Sequence, residues 1–203
     1  NNLDKYIEFN GLKYLEKAYQ RGNGVIIYGA HFGNWEWMAA AIALSGYPIN
    51  CIAQKQSNNY INEKVNQIRK DKGIKLIEKG ISVRKAYQRL NAGELVYILG
   101  DQDARDMGWE TDFFGQPTST YKGVVQLAQR TGATIVPTYL IRRRQDEKQL
   151  LHFFKPHTIK SDAENDELQN KLQELINITE DIIRKYPDQW NWLYKKWGSS
   201  HKG

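Results

Sequence analysis

The stretch "GVIIYGAHFGNWEWMAAAIALSG", residues 24–46, carries two different hydrophobic periods joined by a short polar corner. Its first part is a β-branched run bounded by glycines, which predicts a buried strand. Its last part, "WEWMAAAIALSG", predicts a helix closed by Gly46, with Pro48 just beyond. The same alternation continues outward. "INCIAQ" (49–54) reads as a strand, 59–72 as a polar helix ended by Gly73, and "IKLIE" (74–78) as a strand. Residues 82–91 read as a helix with Ser82 as N-cap, and "ELVYILG" (94–100) as another buried strand. Strands alternating with helices predict an α/β fold, a single domain with a largely parallel mixed sheet flanked by helices.

Upstream, Leu3, Ile7, Leu12, Leu15 and Tyr19 recur at near-helical spacing and predict one helical segment ending at "RGNG". Downstream, residues 101–123 have no period and many turn residues, so they read as a long loop of the kind that carries function. Thr120 reads as the cap of the helix that follows, "VVQLAQRTG". "TIVPTYLIRR" and "QLLHFFK" suggest antiparallel edge strands in the C-terminal half, where Pro137 is easily tolerated. From 162 to 185 a leucine and isoleucine stripe marks a long helix. No repeat, low-complexity segment or linker divides residues 1–203.

The chain has 29 Lys+Arg against 23 Asp+Glu, a net charge of +6, which favours acidic partners such as anionic lipid, phosphorylated substrates or acidic carrier proteins. No helix gathers Lys and Arg on one face, which argues against nucleic acid. The single cysteine, Cys51, excludes an internal disulfide and, within an apolar run, reads as a strand residue rather than a nucleophile. The longest apolar run, 38–44, is too short to span a bilayer.

His31 stands at the carboxyl end of the first buried strand, where open α/β sheets place ligands. If Asn34 caps the helix, Glu36 falls in its first turn, where a carboxylate suits the helix dipole. Five residues of helix would set the two side chains about 140° apart, so His31 must lie outside the helix for Glu36 to reach it. Two readings fit this spacing: a corner histidine with a dipole-complementing glutamate, or a base with its orienting carboxylate. The sequence has no G-x-S-x-G elbow, P-loop, G-x-G-x-x-G or clustered His/Cys set. His152, His157 and His201 are scattered and read as structural or surface residues.

"HFGNWE" resembles the H-x4-D/E motif of glycerolipid-type acyltransferases. Together with "GDQD" (100–103), "FFGQPTSTYKG" (113–123), "LAQRTGATIVP" (127–137) and "YPDQWNWLYKKW" (186–197), it is similar to the lipid A biosynthesis acyltransferase family. The resemblance covers nearly the whole chain. It implies transfer of a fatty acyl group from an acyl carrier protein thioester to a hydroxyl of a lipid A precursor, with no metal or bound cofactor. His31 would be the general base and Glu36 its orienting carboxylate. Arg69 would meet phosphate or the oxyanion, and Asp101, Asp103 and Asn34 would contribute to substrate binding. A related expectation is acyl-CoA-dependent acylation of another glycolipid such as a phosphatidylinositol mannoside, and a third is a non-catalytic lipid- or carrier-binding module. The family works at the cytoplasmic face of the bacterial inner membrane, and its members carry an N-terminal membrane-anchoring segment before the part that matches here. An anionic membrane surface would therefore be a partner, with 142–144 and Lys195, Lys196 and Trp197 as candidate headgroup contacts. Phe113 and Phe114 read equally as core or as an acyl channel.

Overall fold

A computed structural model describes residues 3–53, 57–78, 82–143 and 148–198. The central strand β2 (Val25–Gly29) is buried at all five positions. Strand side chains alternate between faces. Val25 and Ile27 accordingly enter one hydrophobic cluster and Ile26 and Tyr28 the other. A strand covered on both faces needs a continuous apolar run, and the sequence supplies one.

The other strands are β1 (Ile7–Asn10), β3 (Ile49–Ala53), β4 (Lys75–Glu78), β5 (Leu95–Leu99), β6 (Gly108–Phe113), β7 (Gln116–Tyr121), β8 (Thr134–Arg142) and β9 (Gln149–Phe153). Among the described residues the main sheet runs β1-β9-β8-β2-β5-β3-β4, and β6 and β7 form a separate hairpin. Every neighbouring pair in the main sheet is parallel except β8 and β9.

The helices are α1 (Leu3–Tyr6), α2 (Leu12–Gln20), α3 (Trp35–Leu44), α4 (Asn59–Asp71), α5 (Ser82–Asn91), α6 (Gly123–Thr131) and α7 (Asn165–Lys185). Residues of α2 and α3 pack on one face of the sheet; α5, α6 and α7 cover the other. The expected α/β architecture with a mostly parallel mixed sheet is therefore present, and none of the described helices is long and apolar enough to cross a membrane.

Several local expectations differ. The upstream helix is interrupted by β1, because Ile7 and Phe9 alternate with exposed Glu8 and Asn10 and find a parallel partner in β9, some 140 residues away. The β8–β9 pair does not form the sheet edge, since β1 lies outside β9. Pro137 survives inside the sheet because it sits where β8 changes neighbours: pairing with β2 ends at Pro137 and pairing with β9 starts at Thr138.

The segment 101–123 is not one loop but a 3-10 turn (Arg105–Met107) and the β6–β7 hairpin. Its inward face uses Thr111, Thr118 and Thr120 beside Phe113, so the alternation is hidden from hydropathy while the Thr111 and Thr120 hydroxyls pair at 2.8 Å. Thr120 is thus a buried strand residue rather than a helix cap, and Ser82 is the first residue of α5 rather than its cap.

Candidate active site

β2 and β5 are parallel neighbours in register, with Gly29 opposite Leu99. Two residues beyond each partner stand His31 and Asp101. The register therefore brings together side chains 70 positions apart in sequence. The main-chain N–H of Gly100 donates to Gly29 O at 2.9 Å and holds the strand ends together one step further. Gly100 is required there because a Cβ would collide with the Tyr28 ring. At Gly33, φ is +57° and a Cβ would run into the Leu140 carbonyl oxygen, while its N–H donates to Gln189 O at 2.7 Å. This glycine lets the corner turn sharply from His31 into α3.

His31 does lie outside α3, and Asn34 caps that helix by accepting from Trp37 N at 2.9 Å. The orienting partner differs from expectation. The Nδ1 of His31 is 2.8 Å from Asp101 Oδ1, and the His31 main-chain N–H donates to Asp101 Oδ2 at 2.8 Å. The indole N–H of Trp190 donates to the same Oδ2 at 2.9 Å. A carboxylate only accepts, so the proton of a neutral His31 sits on Nδ1 and Nε2 carries the free lone pair. The Asp101 side chain is fully buried and the His31 side chain 12% exposed. The Asp101 carboxylate therefore meets His31 from inside the core. The ring lies between Trp35 and Tyr194, at centroid distances of 5.2 and 4.3 Å.

Glu36 faces Arg69 instead. Arg69 Nε donates to Oε2 at 2.9 Å, its Nη2 donates to Oε1, and its Nη1 donates to Asn66 Oδ1 at 3.2 Å. This two-pronged pairing clamps α4 to the first turn of α3 and raises the Arg69 pKa further. Next to the pair runs an apolar groove of about 490 Å³, lined by Trp37, Ala40, Leu44, Ile68 and Ile74, with Asn34, Glu36 and Arg69 among its polar walls. His31 is outside that lining. Asp103 organises the adjoining turn by accepting from Arg105 N at 3.0 Å, and its own N–H donates to Lys195 O at 3.2 Å.

The aromatic tail supplies what the local sequence reading missed. Trp190 meets Asp101, the Tyr194 ring packs tilted against His31, and Asn191 N donates to His31 O at 2.9 Å. Lys196 is not a headgroup contact: it is 1% exposed, its Nζ donates to Thr120 Oγ1 at 2.8 Å, and burial lowers its pKa to about 8 against the opposing pull of Asp101 and Asp103. Arg142 pairs with Asp188 and Arg143 with Glu8; Arg144 and His201 lie outside the described residues. Phe113 is core, packed against Phe114, Trp190 and Trp197. In β3, burial pushes the Cys51 thiol up to about 12, which keeps it protonated at neutral pH. His157 pairs with Glu174 at 3.2 Å, and His152 stacks on Phe154.

The family model described as bacterial lipid A biosynthesis acyltransferase matches residues 1–199. The chain belongs to that family. The chain is 26% identical over 141 residues to a phosphatidylinositol mannoside acyltransferase of Mycobacterium tuberculosis, covering 68% of this chain and 44% of the relative. It is 23% identical over 195 residues to a lipid A biosynthesis acyltransferase of Haemophilus influenzae (95% and 59%), and 21% over 190 residues to the lipid A biosynthesis myristoyltransferase of Escherichia coli K12 (93% and 58%). The chain thus spans about half the length of the curated relatives it matches. The crystal structure of the 1-acyl-sn-glycerophosphate acyltransferase PlsC from Thermotoga maritima shares the fold, with a TM-score of 0.51 at 15% identity over 88% of this chain and 72% of that one. In this member of the lipid A acyltransferase family, His31 and Glu36 of the segment HFGNWE each have a partner outside that segment, Asp101 and Arg69.

Proposed function

We propose that the protein is an O-acyltransferase that moves a fatty acyl group from a thioester donor to a hydroxyl of a glycolipid. The observation that carries this reading is the His31–Asp101 contact, which leaves Nε2 as an unprotonated base at the end of the sheet. Nε2 takes the proton of the acceptor hydroxyl as its oxygen forms a bond to the thioester carbonyl carbon. The buried Asp101 carboxylate favours the imidazolium so formed. When the tetrahedral intermediate collapses, the carbon–sulfur bond breaks, and the thiolate takes the proton back from His31. The products are an ester and a free thiol. The substrate's own hydroxyl is the nucleophile, consistent with a half-buried, protonated Cys51.

Arg69 has five N–H donors, and among the described residues its bonds to Glu36 and Asn66 leave two unengaged. These suit a phosphate of the acceptor or the developing oxyanion at the groove mouth. Glu36 then acts by holding Arg69 rather than by orienting His31. A phosphorylated glycolipid fits the relatives, whose names specify lipid A and phosphatidylinositol mannoside, and fits the +6 charge. Acyl carrier protein or CoA would present the thioester, at the cytoplasmic face of an inner membrane.

The test is acyl transfer by His31→Ala, measured with acyl carrier protein and acyl-CoA thioesters against a lipid A precursor and a phosphatidylinositol mannoside. A loss of about 10²–10⁴ in turnover, with the circular dichroism spectrum unchanged, is expected from removal of the base. Near-normal turnover would exclude His31 as base. Absence of any acylated glycolipid from the unmutated protein would favour a binding module instead.

A further inference from the structure

The tail turn 191–194 presents an apolar tip directly beside His31. Leu193 is 93% exposed, and Trp192 and Tyr194 flank it with exposures of 54% and 37%. Exposed apolar residues are common when scattered singly; three in succession at the rim of a site call for a partner. The tip is held rigidly. Asn191 Oδ1 accepts from Leu193 N at 3.2 Å, Trp192 N donates to Trp190 O at 3.1 Å, and the Trp192 indole N–H donates to Pro187 O at 2.7 Å. Beneath it, Trp190 is tied to Asp101 and Lys196 is buried against Thr120, so the turn is braced on both sides.

We propose that residues 192–195 form a wedge that inserts into an anionic phospholipid surface and brings that surface to His31. Several features select lipid over a protein partner. The apolar tip is a projecting turn with Leu193 almost wholly in water, the inverse of a concave docking groove. Tryptophan and tyrosine beside the leucine match the amphipathic residues enriched at membrane interfaces. Lys195 follows immediately and is exposed, while the whole chain carries +6, which adds attraction to anionic headgroups. The Tyr194 ring touches both worlds: it flanks the exposed tip and packs tilted against the His31 ring, with centroids 4.3 Å apart. The consequence for catalysis rests on the proposed acyl transfer: a glycolipid acceptor would reach the base by sliding within the leaflet. Lipid binding itself does not depend on that reading.

The experiment measures partition of the protein to vesicles of phosphatidylglycerol and phosphatidylcholine by sedimentation. Leu193→Asp is the main variant, because a side chain this exposed can be exchanged without disturbing packing. Unmutated protein is expected on the anionic vesicles, and L193D is expected to lose at least tenfold in partition coefficient with an unchanged thermal midpoint. An environment-sensitive fluorophore attached to L193C is expected to shift to the blue on those vesicles, while the same probe on V83C, at exposed Val83 of α5, does not shift. His31→Ala should bind vesicles like the unmutated protein whatever its turnover, which separates this proposal from the catalytic one. Unchanged partition of L193D, or a probe at 193 that stays in water, would overturn the wedge. A probe that responds to acyl carrier protein but not to vesicles would overturn it too, assigning the turn to a protein partner.

Discussion

Replacing Asp101 by asparagine keeps the volume and tests the dyad. Three donors converge on the carboxylate: His31 Nδ1 on Oδ1, and the His31 main-chain N–H and the Trp190 indole on Oδ2. An asparagine offers one oxygen and one NH₂ group. If its oxygen takes the Oδ2 position, its NH₂ faces Nδ1, and His31 must shift its proton to Nε2 and ceases to be a base. If its oxygen faces Nδ1, two donors confront the NH₂ group, leaving buried N–H groups unpaired at about 1–3 kcal/mol. The first arrangement avoids that cost, so the inactive tautomer should prevail. The expected loss in turnover is about 10³–10⁴, or about 4–5.5 kcal/mol of barrier, comparable to removing the base outright. Steady-state acyl transfer measures the rate, and ¹⁵N NMR of the labelled histidines reads the His31 tautomer directly. Turnover within threefold of the unmutated protein, with the Nδ1-protonated form intact, would refute the assignment of Asp101 as the residue that positions His31.

Other outcomes follow from the same geometry. Arg69→Lys removes the fork that grips Glu36; because Glu36 is 46% exposed, stability should fall by less than about 1 kcal/mol in urea unfolding, while acyl transfer should fall by at least tenfold, chiefly through KM for the phosphorylated acceptor. Gly33→Ala should cost at least about 1–3 kcal/mol, read as a lowered urea midpoint, since φ is +57° and the new methyl meets the Leu140 carbonyl. For Lys196, the folded pKa of about 8 lies below the ordinary 10.5, so the unfolded chain holds the extra proton between these values. Stability contributed at this site therefore rises as pH increases from 8 to 10.5, by about 3 kcal/mol in total, and below pH 8 the burial penalty is present in full. Lys196→Met should lose that pH-dependent increment, measured as the difference between the two proteins' unfolding free energies across the window; tyrosine titrations common to both cancel.

The strand–corner–helix unit around His31, the αβ alternation from 24 to 100 and the long C-terminal helix are legible from the chain alone. These depend on local periodicity: a β-branched run bounded by glycines, an asparagine cap, and a leucine stripe every third or fourth residue. The sequence also put His31 outside the helix and Glu36 in its first turn, as the structure has them. Where burial was met by hydroxyls or by a distant partner, periodicity was silent. The β6–β7 hairpin buries threonines, and β1 is a strand because β9 lies beside it. Lys196 looked like a surface cation but is drawn into the core by Thr120 and the neighbouring carboxylates.

The pairing of the site residues was likewise decided in three dimensions. Five positions along the chain make Glu36 the nearest carboxylate to His31 in sequence. The parallel register of β2 and β5 makes Asp101 its neighbour in space, and α4 brings Arg69 to Glu36. Sequence spacing sets which side chains share a turn. Which of them meet is set by strand register and helix packing, because those bring together residues that the chain keeps tens of positions apart.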